Sequence, residues 1–245
     1  MQTAIQLYTL REMDASILEI IARVGETEFD GVEFAYRVEE APAADVRQAL
    51  DDAGLVASSA HVGIEALEDD LDGVIETAET LGYDDIVVPW LDPEHFETVE
   101  AVEATAERLS ELAEAVAERG LQLHYHNHDQ EFVETDAGVA FDVLVDRASD
   151  DLMFEVDAGW ALYGGADPVD LLHEYADRIS LVHFKDVHLD SDEAPALGEG
   201  DLDIDAVADA AHEIGAEWAI FENDAPEDPA TALPHGAERL TRAVE

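Results

Sequence analysis

The chain alternates short β-like runs with amphipathic helical stretches along its whole length, and this alternation limits the folds that it can adopt. Between the runs, apolar residues recur three and four positions apart, which is the period of an α-helix. Strand, helix and strand joined by short connections predict parallel strands linked by right-handed crossovers. The β-like runs are 4–8, 31–34, 55–60, 85–89, 121–126, 153–156, 179–184 and 218–222. Eight such units are the number that a closed barrel needs.

We therefore predict an α/β fold, namely a single (β/α)8 TIM barrel domain spanning residues 1–245. A barrel of about 250 residues is commonly one domain. The segments Asp167–Pro168 and Asp228–Pro229 both read as a helix N-cap followed by a proline in the first turn. An open doubly wound sheet is the alternative. It is disfavoured because no glycine-rich dinucleotide-binding loop follows the first run, where the sequence reads LREMDA.

The composition is strongly acidic, because Asp and Glu number 61 against 11 Lys and Arg, for a formal net charge of -50. Disorder does not explain this charge, since 47% of the residues are hydrophobic and acidic residues occur in nearly every predicted helix. Such a surface is typical of proteins adapted to molar salt, where charge repulsion is screened. We therefore expect a halophilic protein, with an acidic interaction surface as the alternative. We expect no nucleic-acid partner, because phosphates require neutralising cations.

Cysteine is absent, so any metal must be held by histidine and carboxylate side chains. No stretch approaches the roughly 18 to 20 apolar residues of a membrane span, and the amino terminus carries no long apolar segment. We expect a cytoplasmic enzyme with no membrane partner. The sequence leaves open whether the chain forms a homo-oligomer.

Polar side chains gather where the fifth to eighth predicted strands end, which is where a barrel of this kind places its active site. Side chains alternate along a strand, so each strand can present its ligand-type residues on one face. Imidazole and carboxylate groups that meet on one axis stay unpaired without a cation, whereas a divalent metal satisfies them together. We therefore predict one divalent metal ion, which is Mn, Mg, Co or Zn. The strand-end residues are His124, His126, His128, Glu155, Asp157, His183, Lys185, Glu222 and Asp224.

Lys185 is the only lysine in a chain that otherwise uses arginine for its cations, and it lies beside the predicted metal site. Lysine can release a proton, whereas arginine cannot. Partial burial near a metal is expected to lower the pKa of the ammonium group into the range useful for acid–base chemistry. The alternative is a lysine that only pairs with Asp186 or Asp157.

At these residues the sequence resembles the sugar phosphate isomerase and epimerase family, the xylose isomerase-like TIM barrels, over nearly its whole length. The order and spacing of the matching segments carry the resemblance. The YHNH pattern of the fifth strand is similar to the branch with inosose dehydratase-like and keto-sugar hydratase-like members. The segments are IQLYTLR, SSAHVG, YHNHDQEF, EVDAGWALYGGADPVDLL, LVHFKDVH, LGEGDLDI and FENDAPEDP.

The resemblance implies a metal held by Asp157, His183 and Glu222. Many relatives have a glutamate as a further ligand on the fifth strand. His126 stands at that place in this chain, and we predict it as the fourth ligand. Glu131, five residues farther on, is the alternative ligand or an acid–base group.

The resemblance also implies that the metal chelates adjacent oxygens of a carbohydrate while a base removes the neighbouring C–H proton, which leaves an enediolate. The predicted catalytic residues are Lys185, Glu131 and His61, with Glu33 as a further candidate base. Return of the proton describes an isomerase or epimerase, which is the predicted function. Loss of a β-hydroxyl describes the alternative, a lyase acting on a keto-inositol or keto sugar.

Six residues are predicted to bind this small-molecule carbohydrate, and core packing is the alternative role for the three aromatic ones. An unphosphorylated sugar, inositol-type ring or sugar acid is expected, because a phosphate site would need more cations or a helix terminus. Two other classes of protein are alternatives. A repair nuclease similar to endonuclease IV is disfavoured, because it needs a cationic face. A metal-free binding barrel stays open. The predicted substrate-binding residues are Gln6, Tyr8, Glu33, His128, Trp90 and Trp160.

Overall fold

A closed barrel of eight parallel strands forms the centre of the computed structural model, which describes residues 1–35, 37–191 and 193–245. The barrel closes where the last strand pairs with the first. The predicted (β/α)8 architecture is thereby confirmed. A two-stranded hairpin, β6 and β7, interrupts the order. The strands are β1 Gln2–Gln6, β2 Gly31–Phe34, β3 Val56–His61, β4 Asp85–Val88, β5 Gln122–His126, β6 Glu134–Thr135, β7 Gly138–Val139, β8 Leu152–Asp157, β9 Ile179–Phe184 and β10 Trp218–Phe221.

Helices follow the barrel strands and cover the outside of the barrel. Both predicted proline starts are confirmed, because Asp167 and Asp228 accept hydrogen bonds from backbone N–H groups of the first helical turn. The α-helices are α1 Ile17–Val24, α2 Ala43–Ala53, α3 Ile64–Leu81, α4 Val99–Ala117, α5 Ala140–Arg147, α6 Ala158–Tyr163, α7 Pro168–Glu174, α8 Ile204–Ile214 and α9 Pro229–Val244. Short 3-10 helices are Leu7–Leu10, Val38–Glu40, Pro93–His95, Gln130–Phe132 and Ala176–Arg178. Within the described ranges, no helix is both long enough and apolar enough to cross a membrane.

The interior of the barrel changes from apolar to polar along the barrel axis. A small apolar cluster that includes Ala4, Val87, Leu181 and Ile220 fills one part of it, separate from the large core between strands and helices. Side chains two positions farther along these strands point to the same side, so Gln6 and His183 follow the apolar cluster towards the carboxyl ends. The apolar cluster therefore closes the barrel beneath a polar group of side chains.

The first strand is shorter than predicted. It ends at Gln6 rather than at Tyr8, because the Gln6 side-chain oxygen accepts a hydrogen bond from Tyr8 N at 2.9 Å and starts the 3-10 helix. The predicted end of the strand was wrong, because the Gln6 side chain caps the backbone and competes with the hydrogen bonds between strands. Glutamine is an ordinary residue in a strand, so the sequence does not reveal this cap. The turn leaves the Tyr8 ring 37% exposed instead of packed in the core.

Low salt is expected to destabilise this fold. Arginine ion pairs such as Arg108 with Glu68, at 2.7 and 2.8 Å, neutralise only a part of the acidic charge, because 61 Asp and Glu face 11 Lys and Arg in the sequence. The screening length falls from about 10 Å at 0.1 M to about 3 Å at 1 M salt. The melting temperature should therefore rise steadily with KCl in scanning calorimetry. Sucrose, which favours burial without screening charge, should stabilise far less, and equal effects of the two would contradict the electrostatic explanation.

Candidate metal centre

Four potential metal ligands meet at the carboxyl ends of neighbouring strands. His126 and Asp157 are the last residues of β5 and β8. His183 is the next-to-last residue of β9, and Glu222 directly follows β10. All four side chains are buried, and each offers a ligand atom within 4.8 Å of those of the others. The structure thus brings together the four residues that the sequence analysis selected as ligands.

The donor atoms of this group suit a cation. Asp157 Oδ1 accepts a hydrogen bond from Trp160 N at 2.8 Å, whereas Asp157 Oδ2 is buried without a hydrogen-bond partner among the described residues. His126 Nε2 lies 3.9 Å from this Oδ2 atom. His183 Nδ1 lies 3.3 Å from Glu222 Oε2. Bonds of about 2.0 to 2.2 Å to zinc would place tetrahedral ligands about 3.4 Å apart, so the four residues fit a divalent metal.

Burial shifts the pKa of two of these ligands. It raises the pKa of Asp157 to about 7 and lowers the pKa of His126 well below its ordinary value. The His126 imidazole is therefore neutral and can offer a lone pair. Cation binding would displace a proton from Asp157 near neutral pH, as is usual when a metal site is formed from buried acids.

Glu131, the alternative fourth ligand, lies outside this group. Tyr125 OH donates a hydrogen bond to one of its carboxylate oxygens, and His128 N donates to the other at 2.9 Å. Burial raises the pKa of Glu131 to about 7. These contacts fix the loop after β5, and they favour His126 over Glu131 as the metal ligand.

A buried polar network lies next to the ligands on the inner side of the barrel. Glu33 accepts hydrogen bonds from Ser59 Oγ at 2.6 Å and from Gln6 Nε2 at 2.9 Å. His61 Nε2 lies 2.8 Å from Glu155 Oε2 and 3.2 Å from Glu33 Oε1. Glu33, predicted to bind substrate, is fully buried in this network instead of facing the cavity.

Two influences on His61 oppose each other. Burial lowers its pKa, but the carboxylates of Glu33 and Glu155 outweigh burial and raise the pKa to about 10. The Gln6 amide favours the neutral ring, because its Oε1 is held by Tyr8 N and its Nε2 donates to His61 Nδ1 at 3.0 Å. A second proton on Nδ1 would face this N–H group. The Gln6 contact therefore leaves the ring proton on Nε2.

Lys185 is buried among carboxylates and one aromatic ring. Its ammonium group forms an ion pair with Asp224, lies 3.7 Å from Glu222 Oε2, and lies 4.6 Å from the centre of the Trp160 ring. Asp186 instead accepts backbone N–H groups of the loop before α8, including those of Gly198 and Gly200. The partner of Lys185 is therefore not Asp186.

The expected fall in the pKa of Lys185 is wrong in direction. Burial does lower the pKa, but Glu222, Asp157 and Asp224 outweigh burial and raise it above the ordinary lysine value. The error arose because Glu222 and Asp224, which follow β10, both approach Lys185, which follows β9. Lys185 is therefore an ammonium ion at neutral pH.

A cavity of about 640 Å³ opens over the ligand group. Five of the six predicted substrate-binding residues line it. Tyr8 and Trp90 are 37% and 46% exposed, so core packing is the wrong interpretation for these two rings. The lining includes Gln6, Tyr8, Arg11, His61, Trp90, His126, His128, Asp129, Trp160, Glu222 and Asp224.

Most of the chain matches one known family. The model of the family described as xylose isomerase-like TIM barrel aligns with residues 19–243. The chain belongs to the xylose isomerase-like TIM barrel family. Its relatives among curated proteins include an inosose dehydratase from Geobacillus kaustophilus, 36% identical over 159 residues, which are 57% of this chain and 50% of that protein. Another is the rhizopine catabolism protein MocC from Rhizobium meliloti, 36% identical over 119 residues, which are 48% of this chain and 35% of that protein. The chain thus spans about half the length or less of these relatives.

Solved structures share the fold at low sequence identity. A sugar phosphate isomerase/epimerase from Parabacteroides distasonis superposes with a TM-score of 0.86 at 18% identity, covering 100% of this chain and 99% of that one. A zinc-bound IOLI protein superposes with a TM-score of 0.79 at 16% identity, covering 100% and 98%. At such identities the likeness shows the xylose isomerase-like fold alone.

Sequence reasoning placed Glu155 and Asp224 of this xylose isomerase-like barrel at strand ends without giving them a role, and it missed Ser59. The sequence does indicate that Glu155 lies near the site, because it precedes Asp157 by two positions and so shares its face of β8. Asp224 likewise shares a face with Glu222. Nothing in the sequence indicates that Ser59 lies near the site, because a serine inside a predicted strand is ordinary. Its bond to Glu33 depends on the register between β2 and β3.

Replacing Glu131 with glutamine is expected to remove a pH-dependent loss of stability. The folded pKa of about 7 lies above the ordinary carboxyl value of 4.5, so between these values the unfolded chain releases a proton that the folded chain keeps. The free energy of unfolding of the wild type should fall as pH rises from 4.5 to 7, by on the order of 3 kcal/mol from this group.

Urea unfolding of wild type and Glu131→Gln in molar KCl with EDTA, at several pH values, measures this difference. The exposed Glu134→Gln variant is the matched control, and its curve should run parallel to that of the wild type. A Glu131→Gln curve that also runs parallel to the wild-type curve would contradict the assigned pKa.

Proposed function

We propose that the chain is a metal-dependent lyase that removes water from a polyhydroxylated ketone, such as an inosose or a keto sugar, through an enediolate. One observation carries this proposal: the buried ligand group lies under a cavity lined by Asp224, and Asp224 forms an ion pair with Lys185, which lines a second cavity that Asp224 also lines. The family and its named relatives support a sugar-processing enzyme in the wider sense.

His126, Asp157, His183 and Glu222 would hold the metal. A divalent metal bound there supplies Lewis-acid polarisation of a substrate carbonyl. The chain itself contributes a shielded, largely preformed cavity, because all four residues sit at or next to the ends of barrel strands rather than on long loops.

Lys185 and Asp224 are proposed as the acid–base pair. The Asp224 carboxylate takes the proton from the carbon beside the carbonyl, and the Lys185 ammonium donates a proton to the β-hydroxyl, which leaves as water. The proton then passes from Asp224 to Lys185 along the contact between them, so both groups return to their starting states. The raised pKa of Lys185 supports the role of acid at neutral pH.

The walls of the cavity suit an uncharged carbohydrate. Tyr8, Trp90 and Trp160 present rings to it, and such rings pack against sugar C–H faces. Burial, followed by the charge of Lys185, lowers the pKa of His128 to about 3. The His128 ring is therefore neutral and can hydrogen-bond substrate hydroxyl groups. Among the described residues that line the cavity, Arg11 is the one arginine, and a phosphate site would need more cations. The lining therefore supports an unphosphorylated substrate.

An isomerase or epimerase, the reaction predicted first from the sequence, is the second candidate. The pair that removes a proton can also return it to a neighbouring carbon. Dehydration is preferred because a persistent ammonium ion assists departure of a hydroxyl group, and because curated relatives of the chain are named inosose dehydratases.

The experiment is a screen of inososes, ketohexoses and keto sugars in molar KCl and D2O, with Mn²⁺, Mg²⁺, Co²⁺ or Zn²⁺ added to chelator-treated protein. NMR should show a dehydrated product, as the unsaturated enol or its diketone tautomer, and only with metal. A deuterated isomer in place of this product would establish the second candidate. Turnover that persists unchanged in EDTA would contradict both.

A further inference from the structure

The two imidazoles of the proposed metal site, His126 and His183, share one arrangement. In each ring, one nitrogen faces another proposed ligand and the other nitrogen contacts a buried carboxylate. His126 Nε2 faces Asp157 Oδ2 at 3.9 Å, while its Nδ1 lies 2.9 Å from Glu155 Oε2. His183 Nδ1 faces Glu222 Oε2 at 3.3 Å, while its Nε2 lies 2.8 Å from Glu33 Oε1. The carboxylates of Glu155 and Glu33 therefore stand behind the ligands, away from the proposed metal.

The register of the barrel produces the contact between Glu155 and His126. These residues are direct partners across β5 and β8, and both side chains point into the barrel. Glu155 precedes Asp157 by two positions on the same face of β8. One strand thus supplies a proposed ligand and, one layer deeper, the carboxylate that contacts the ligand of the neighbouring strand.

Glu155 Oε2 is surrounded by ring nitrogens that act as hydrogen-bond donors. His61 Nε2 lies at 2.8 Å, and the Gln6 amide requires the His61 proton to be on this atom. His126 Nδ1 lies at 2.9 Å and His183 Nε2 at 3.3 Å. A carboxylate oxygen can only accept, so the proton of the neutral His126 ring must be on Nδ1.

We propose that Glu155 is a positioning residue, which holds His126 in the Nδ1–H form so that the Nε2 lone pair faces the proposed metal. A carboxylate hydrogen-bonded to Nδ1–H also makes the imidazole a stronger electron donor at Nε2. This inference rests on the proposed metal site and assigns to Glu155 a role that acts through His126.

A second cation among His61, His126, Glu155 and His183 is the competing interpretation, since their ligand atoms also lie within 4.8 Å of one another. The distances favour hydrogen bonds. The three ring nitrogens surround Glu155 Oε2 at 2.8, 2.9 and 3.3 Å, so the carboxylate oxygen occupies the point on which they converge. A cation would have to displace that oxygen from its three donors.

The first test is the affinity for Zn²⁺, measured by chelator competition in molar KCl. Loss of an outer carboxylate typically weakens metal binding about 10- to 100-fold, and Glu155→Gln should show a loss of this size with one Zn²⁺ per wild-type chain. The control is Asp85→Asn, which alters a partly buried pair of a carboxylate and an imidazole, His124 Nε2 with Asp85 Oδ1 at 2.7 Å, outside the ligand group. The control should bind Zn²⁺ like the wild type.

The second test reads the His126 tautomer in metal-free wild type by long-range ¹H–¹⁵N NMR, with the signals assigned by their loss in His126→Ala. The expected proton position is Nδ1, and this measurement stands even if Glu155→Gln does not fold. A proton on Nε2, two bound Zn²⁺ per chain, or equal Zn²⁺ affinity of wild type and Glu155→Gln would overturn the inference. Failure of the wild type to bind Zn²⁺ would instead remove the metal site, and with it the proposed function.

Discussion

Asp157→Asn is expected to lower metal-dependent turnover by about 10³-fold or more, because Lewis-acid stabilisation by a bound metal contributes several kcal/mol. Asparagine keeps an oxygen to accept the hydrogen bond from Trp160 N, so the start of α6 should be retained. The change removes the negative charge and places an N–H₂ group where Asp157 Oδ2 is buried without a partner among the described residues. Metal content and kcat should therefore fall together while the fold persists.

The matched control for this variant is Asp167→Asn. Asp167 caps α7 by accepting from Val169 N at 2.9 Å and Asp170 N at 3.2 Å, outside the ligand group. The control should lose some stability but keep its metal and its turnover. An Asp157→Asn protein that binds metal and turns over like the wild type would show that Asp157 is not a ligand.

Lys185→Arg is expected to lower kcat by about 10²- to 10⁴-fold, the usual contribution of a positioned acid or base. Arginine keeps the positive charge near Asp224 and Glu222, but it does not release a proton at any accessible pH. Metal affinity should change little, because Lys185 is not in the ligand group. The measurement pairs steady-state kcat with Zn²⁺ affinity in molar KCl.

The control for the lysine variant is Arg147→Lys, the reverse kind of exchange at a surface ion pair with Glu103. It should leave kcat and metal affinity unchanged. Undiminished turnover by Lys185→Arg would mean that the side chain acts only through its charge, and another group would then have to protonate the leaving hydroxyl.

The barrel and the ligand group could be predicted because local patterns determine them. Alternating strands and helices specify parallel strands, and the carboxyl ends of such strands meet at one end of the barrel. His126, Asp157 and Glu222 lie at or directly after strand ends, so their meeting needed no knowledge of loop conformation. The N-caps at Asp167 and Asp228 were equally local, since the following proline marks the helix start.

The sequence could not show which charges would surround each side chain. The pKa of Lys185 depends on two carboxylates after β10, Glu222 and Asp224, that lie 37 and 39 positions later in the chain. Glu131 had the right residue type for a ligand, but its hydrogen bonds to Tyr125 and His128 N hold it outside the group. Glu33 is predicted from the sequence to bind substrate, but the register between β2 and β3 places it against Ser59. Such roles follow from cross-strand neighbours, which a single strand pattern does not specify.

Anomalous diffraction from crystals grown in high salt with Zn²⁺ or Mn²⁺ locates the metal itself. One strong anomalous peak per chain is expected, within about 2.0 to 2.5 Å of ligand atoms of His126, Asp157, His183 and Glu222. A chain without a peak at this position, or with a peak bound by Glu131 in place of His126, would contradict the proposed metal site.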